Sequence, residues 1–329
     1  MKLSVAVRNH PVRMLVSAIF ITLLFCGPGY GQEDPARFPS KPITHIVPVP
    51  PGGPTDLAVR LICKEAEKFL KQPIVIVNRP GGALSVGTAA IATAKPDGYT
   101  IGYSGGPPLF LTPLLEKVLY DPIKDIRTVI QYGGLNFGVY VKADSPFKTF
   151  KDLVAYARQN PKKATYGTVG VNSMGNLMME EVAKKEKVQI THIPFKGTPE
   201  VQTALLGGHV LFGAGDFNTS LVEAKEIRLV MMLKDEPAAE YPRVPTIKEL
   251  YGLPYPMYFT VITQKAVPDA IVRKLEDAFR QAMKEPAFIK GMKELNLPVA
   301  YRPGKDLDVI VAQNYAYFSK MLKDTGVIK

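Results

Sequence analysis

The chain has 329 residues, 46% of them hydrophobic and 22% charged, an ordinary balance for a globular protein and ample for a core. Its formal charge of +11 falls to near +8 beyond residue 31, because the first 31 residues hold Lys2, Arg8 and Arg13 and no acid. The remaining basic residues are scattered, as at Lys162-Lys163 and Lys184-Lys185, without the clustering and aromatic platforms of a nucleic-acid surface; the excess instead favours anionic ligands.

The first forty residues read as an export signal. A positive start is followed by an apolar run from Met14 to Cys26, then by Gly27, Gly29 and Gly31 where a signal peptidase would cut. The run is shorter than the ~20 apolar residues that span a bilayer. Residues 1–31 are therefore expected to be a signal peptide, with a mature chain that begins near Gln32 and works in the periplasm. The alternative is an anchor that stays, either as an uncleaved helix or through lipid on Cys26, a route that bulky Phe25 disfavours. No later segment approaches transmembrane length, and the roughly 300 residues that remain are enough for two domains of ~100–200 residues.

Short β-type runs then alternate with helical patterns, the signature of parallel α/β sheets. Ile43–Val47 reads as a strand. Gly52-Gly53 ends it and Pro54-Thr55-Asp56 opens a helix with Leu57, Ala58, Leu61, Ile62 and Phe69 at helical period. Pro54 suits the first helical position, and Asp56 can cap the N–H groups behind it. Ile74–Val77 is a strand, Asn78–Gly82 a turn, Val86–Ala94 a helix, Lys95–Gly98 a turn and Tyr99–Tyr103 a strand. Val129–Tyr132 and Gly138–Lys142 are extended, split by Gly133-Gly134. The cycle repeats with helix 150–159, strand 164–168, helix 177–185, strand 189–193, helix 199–206 and strands 210–214 and 227–233. An extended return at Tyr258–Thr263 leads to helices over 269–284, 287–295 and 306–322. Two such βα series, joined near 135 and 258, predict two lobes with two crossovers: residues 32–135 plus 258–329 as lobe one and 136–257 as lobe two. A cleft between them is the natural binding place.

Beyond the leader the only cysteine is Cys63, on a helix among Leu61, Ile62 and Ala66, and it reads as a small buried residue rather than a reactive thiol. His45, His192 and His209 lie far apart with no ligand spacing, so no metal is expected. No nucleotide fingerprint of either Gly-rich kind is present, and no cofactor is expected. No Ser-His-Asp or Cys-His grouping points to an enzyme.

Three strand-to-helix junctions carry Gly with hydroxyl or amide residues. They are Pro48–Asp56, Tyr166–Asn176 and Gly213–Ser220. In open α/β sheets the ligand crevice lies at the carboxyl ends of the strands. Glycine lets the backbone approach a ligand, and free N–H groups at a helix start attract anions. Two such junctions face to face would hold a carboxylate without lysine or arginine. Each one alone is also ordinary βα punctuation.

The runs Phe38–Ile43, Pro51-Gly52-Gly53-x-x-Asp56, Asn78-Arg79-Pro80-Gly81 and Lys95–Thr100 follow one another in a familiar order. Tyr120-Asp121-Pro122, Tyr166-Gly167, His192–Gly197, Leu205–Gly208, Pro242–Thr246 and Val267-Pro268 continue it. Together they resemble, across the whole mature chain, the substrate-binding proteins of the tripartite tricarboxylate transporter family, also called the Bug family. The resemblance implies an α/β, two-lobed periplasmic-binding-protein fold (type II, Venus flytrap) with two crossover strands. It implies a protein that closes on a small carboxylate and hands it to a two-component, ion-driven integral membrane permease; docking on a membrane sensor kinase is the alternative, and a monomer is the default for a carrier that must diffuse. Carried over by position, Val49, Gly53, Thr55 and Asp56 would face Thr168, Asn172, Ser173 and Asn176 across one carboxylate, partly through ordered water. Tyr103, Ser104 and Gly105 would line the cleft from lobe one. Asp216 would meet the distal part of the ligand and favour an amine or hydroxyl there, with a plain helix cap as its alternative. The chain departs from the family pattern at Val49, where Phe is frequent, at Asn176, where His is frequent, and at Leu211, where Asp is frequent. Pro50 and Pro54 stiffen the first loop, and Tyr258-Phe259-Thr260 lacks the usual Trp-x-Gly. The pocket is expected to differ accordingly in shape and ligand.

Overall fold

The computed structural model describes residues 34–171, 173–238, 240–324 and 326–328. The predicted export leader lies outside the described residues, as does Asn172. The chain divides into two units, 1–38 and 39–329. In the first, the described residues make a turn in which Arg37 N–H donates to Asp34 O at 2.8 Å. The strands and helices described below belong to the second.

Strand β1 (Ile43–Val47) pairs in parallel with β2 (Ile74–Asn78) and β3 (Thr100–Ser104). Strand β10 (Tyr258–Gln264) runs antiparallel between β3 and β4 (Ile126–Gly134), and β11 (Val299–Pro303) closes that edge antiparallel to β4. The resulting order is β11-β4-β10-β3-β1-β2. A second sheet has the order β7-β6-β8-β5-β9. Its strands are β5 (Phe137–Lys142), β6 (Ala164–Val169), β7 (Ile190–Phe195), β8 (Phe212–Asp216) and β9 (Ile227–Met232). Strands β6, β7 and β8 are parallel, while β5 runs antiparallel to β8 and β9. Two mixed sheets give two α/β lobes. The chain passes from the first sheet to the second between Gly134 and Phe137, and returns between Met232 and Tyr258.

Helix α1 (Pro54–Leu70) starts on Pro54, as the sequence predicts. Its buried stripe differs from the predicted one. Ala58 and Ile62 are buried with Val59, Cys63, Ala66 and Leu70, whereas Leu57 is 39% exposed. Asp56 lies on this inner stripe and is itself buried. Burial raises the pKa of the Cys63 thiol well above its ordinary value and keeps it protonated and inert. A 3₁₀ turn (Gly82–Leu84) and helix α2 (Ser85–Ala92) follow β2, and two short helices, α3 (Pro107–Phe110) and α4 (Thr112–Leu115), follow β3.

The second sheet carries α5 (Phe150–Gln159), α6 (Met174–Glu186), α7 (Thr198–Leu206), α8 (Thr219–Glu223) and α9 (Ile247–Tyr251). Helices α10 (Asp269–Ala282) and α11 (Pro286–Glu294) pack on α1, and α12 (Gly304–Asp324) packs on β4 and α3. No helix among the described residues is long and apolar enough to cross a membrane.

Asn296, with φ of +59°, joins the lobes beside the crossovers. Its carbonyl accepts Asn136 Nδ2 at 2.9 Å, its Nδ2 donates to Phe217 O at 3.1 Å, and its Oδ1 accepts the Thr219 hydroxyl. Arg302 Nη2 of β11 meets Glu236 Oε1 of the second lobe at 2.6 Å, while its Nη1 donates to Gln131.

Candidate functional site

A cavity of about 520 Å³ lies where both lobes and both crossovers meet. From the first lobe its wall is the 3₁₀ turn at Ala83 and the segment from Pro107 to Glu116. The crossovers add Leu135 and Met257, and the second lobe adds the ends of β5, β6 and β8 with the starts of α6 and α7. The first-lobe wall is held close to the return crossover by Gly106, which has φ of +84°; a Cβ there would stand 2.2 Å from Pro256 O. On the opposite side Gly175 lets α6 approach β8, since a Cβ would stand 2.2 Å from Ala214 O.

The starts of two second-lobe helices reach the cavity wall, and that of α6 belongs to the longer helix. Ser173 is its N-cap and accepts the Asn176 N–H at 3.3 Å. Ser173, Met174 and Gly175 line the cavity, so the first turn of a 13-residue helix opens onto it. The first N–H groups of a helix have no acceptor within it, and its dipole favours negative charge there. Below this turn a polar knot fixes the loop. The Thr168 hydroxyl donates to Gly170 O at 3.0 Å, accepts Ser173 Oγ at 3.1 Å and lies 2.7 Å from His192 Nε2. Asn176 Nδ2 donates to Tyr166 OH at 2.9 Å, and that hydroxyl donates to Glu180. Thr168 and Asn176 are buried, Thr168 to 1% exposure.

Asp216, at the end of β8, lines the cavity too. Burial pushes its carboxyl up to about 6, against the Phe217 N–H and the Thr198 hydroxyl, which pull it down. The cap of the following helix α8 is Asn218, whose side chain accepts the Ser220 N–H at 3.0 Å. No lysine, arginine or histidine is among the described residues that line the cavity.

The first junction has a different construction. Asp56 is 1% exposed and its two oxygens are filled. They accept Arg60 Nε at 2.8 Å and Nη2 at 3.2 Å, Asn78 Nδ2 at 2.8 Å and the Gly52 N–H at 2.9 Å. Burial alone would raise its pKa; the hydrogen bonds from Arg60, Asn78 and Gly52 outweigh burial and lower it. Asn78 also donates to Val49 O at 2.9 Å, so the carboxylate and the amide together shape the loop from Val49 to Gly53. Val49 and Gly53 on this loop and Thr55 in the first turn of α1 are partly exposed and are not among the residues that line the cavity.

Of the residues named from the sequence, the cavity wall thus brings together Ser173 and Asp216, with Thr168 and Asn176 directly behind. Tyr103, Ser104 and Gly105 are buried at the end of central strand β3. Tyr103 packs on Phe259 with ring centroids 5.2 Å apart, and burial raises its pKa. Beyond β3 the wall begins only after them, at Pro107. Leu111, Leu115, Phe137 and Met257 line the cavity and were missed. The signal available for the first two was their place just past the carboxyl end of a parallel strand. Among the described residues no group of three His, Cys, Asp or Glu converges as a metal cluster.

Residues 58–327 match the tripartite tricarboxylate transporter family receptor, TctC. The chain belongs to this receptor family. It is 34% identical over 304 residues to a Cupriavidus necator UPF0065 protein from the gbd 5′ region, covering 92% of each chain. A TctC solute-binding protein from Polaromonas, solved without ligand, superposes with a TM-score of 0.79 at 24% identity, over 87% of this chain and 99% of that one. An R. palustris protein solved with adipate gives a TM-score of 0.66 at 27% identity, over 88% and 98%. The two-lobed fold is that of these periplasmic binding proteins, in agreement with the resemblance read from the sequence.

Proposed function

We propose that this receptor captures a small carboxylate in the cavity between its lobes, outside the cytoplasmic membrane, and delivers it to a two-component, ion-driven permease. The observation that carries the reading is a cavity walled by both lobes onto which the first turn of α6 opens, in a member of the TctC family. The carboxylate is taken to lie against the N–H groups at Met174 and Gly175, with Ser173, whose proton goes to Thr168 Oγ1, holding the turn, and with the Val49–Gly53 loop completing the grip from lobe one. Asp216 faces the distal end of the ligand and accepts from a hydroxyl or amine there. Residues 136–257 are taken to move as one body about the crossovers, with contacts made only in the closed state driving closure. The bound acid is released unchanged.

The adipate-bound relative supports a carboxylate as the ligand class. The test is thermal unfolding of the purified protein against a panel of aliphatic, aromatic and amino-acid carboxylates. A cognate acid at roughly a hundredfold excess over Kd stabilises by about 2.7 kcal/mol. Silence across the whole panel overturns the reading. Uptake by proteoliposomes carrying the permease, with and without the receptor, tests delivery.

A further inference from the structure

We infer that the cavity selects monocarboxylates with an apolar body, aliphatic or aromatic, and rejects di- and tricarboxylates. This deepens the proposed function and rests on it: the carboxylate is taken to sit at the start of α6.

The argument concerns what surrounds the rest of the ligand. Beyond Ser173 the wall is mainly hydrocarbon and thioether: Leu111 and Leu115 from the first lobe, Leu135 and Met257 from the crossovers, Phe137 and Val169 from the second. Two of these are open to water, Leu115 at 44% and Val169 at 41% exposure, one on each lobe. Apolar side chains left wet on facing walls of a cavity gain from an apolar body placed between them. A cavity of about 520 Å³ exceeds what a bare carboxylate needs and falls within the usual range for organic ligands.

A second carboxylate is poorly served there, because the other long helix start on the wall, at Thr198 of α7, already faces the Asp216 carboxylate. The described lining holds no basic side chain, and its two ionisable residues, Asp216 and Glu116, are both acids. Thr112 and Thr198 are the other polar side chains on the wall beside Ser173, and the Thr198 hydroxyl already serves Asp216. Asp216 stands on the same lobe as the start of α6, so an acid group at the far end of a short ligand meets either hydrocarbon or a like charge. Desolvating a charge without a counter-ion is costly, and like charges brought together across an interface cost more.

The experiment measures Kd by calorimetry at pH 8 for hexanoate, benzoate, adipate, succinate and citrate on the wild-type chain, on Val169→Asn and on Asp216→Asn. Hexanoate or benzoate is expected to bind at least about tenfold more tightly than any of the three polyacids. Val169→Asn, at a site already partly wet, weakens the monoacids severalfold while the fold persists by circular dichroism. Asp216→Asn narrows the gap between hexanoate and adipate. Adipate, succinate or citrate binding as tightly as the monoacids overturns the inference and leaves carboxylate capture standing. Absence of binding by all five, and by the wider panel, removes both.

Discussion

Two aspartates stand at strand-to-helix junctions, Asp56 buried in the first lobe and Asp216 partly buried in the second, and they are held in opposite ways. Asp56 receives donors from Arg60, Asn78 and the Gly52 backbone on both oxygens, and its pKa is lowered. Asp216 feels only the pull of the Phe217 backbone, whose N–H goes to Asn136 O, and of the Thr198 hydroxyl, and burial outweighs both and raises it to about 6. A saturated carboxylate has no lone pair to offer a guest and is part of the scaffold. An under-supplied one keeps unsatisfied acceptor capacity facing the cavity and pays for it in desolvation. Sequence position alone does not separate the two; the donor inventory does.

The contrast breaks first at Asp56. Asp56→Ala strands the Gly52 N–H, Asn78 and one side of Arg60, and is expected to destabilise by about 2–3 kcal/mol, less than a fully buried pair because Arg60 is 42% exposed. Urea unfolding reads this as a lower midpoint with an unchanged slope. If Asp56 only organises the loop, all ligands weaken together and their ranking stays. A smaller effect, about 1–2 kcal/mol, is expected of Asn78→Ala, which removes the link from Asp56 to Val49 O. An unchanged midpoint in either variant would place the loop's support elsewhere.

Asp216→Asn has the opposite sign. The folded protein holds the Asp216 proton up to about pH 6, whereas the unfolded chain releases it near 3.9, so stability falls as pH rises through that window. Removing the charge is therefore expected to raise stability by about 1–2 kcal/mol at pH 7 and by nothing measurable below pH 4. His45, wholly buried and held at about 3 by burial, destabilises in the other direction: the unfolded chain takes up its proton as pH falls through 6.5. The quantity to compare is accordingly the difference between variant and wild type across pH 4–8. A difference that does not vary with pH would mean that Asp216 is not the group under strain. The smallest expected effect is at Cys63, where a thiol reagent should leave the native protein unlabelled over the time in which the urea-unfolded chain reacts fully.

Much of the fold was legible because its strands and long helices carry strong periodicity and clear punctuation. Helix α5 runs from Phe150 to Gln159 as predicted, started by a Thr149–Asp152 capping box. The order of βα units and the two passages between sheets were readable in the same way. Strand β11 was not, because its extended form comes from pairing with β4 at a sheet edge and not from its own pattern. The first-lobe wall was missed for a related reason. Helices α3 and α4 are single turns started by prolines, too short for any 3.6-residue period to show. The Asp56 knot was half visible: Pro54 and the cap onto Gly52 follow from local rules, but Asn78 arrives from 22 residues away through the pairing of β1 with β2.

Asn296 gives the molecule a pin. One short side chain and its carbonyl fasten three separate points, the outgoing crossover at Asn136 and the second lobe at Phe217 and Thr219. Sliding one lobe past the other shears all three bonds together, at a cost of about 3 kcal/mol if each contributes about 1. The same bonds resist rotation as well as sliding, because they end on three different residues, and a bulkier residue at 296 would loosen this joint without touching the cavity.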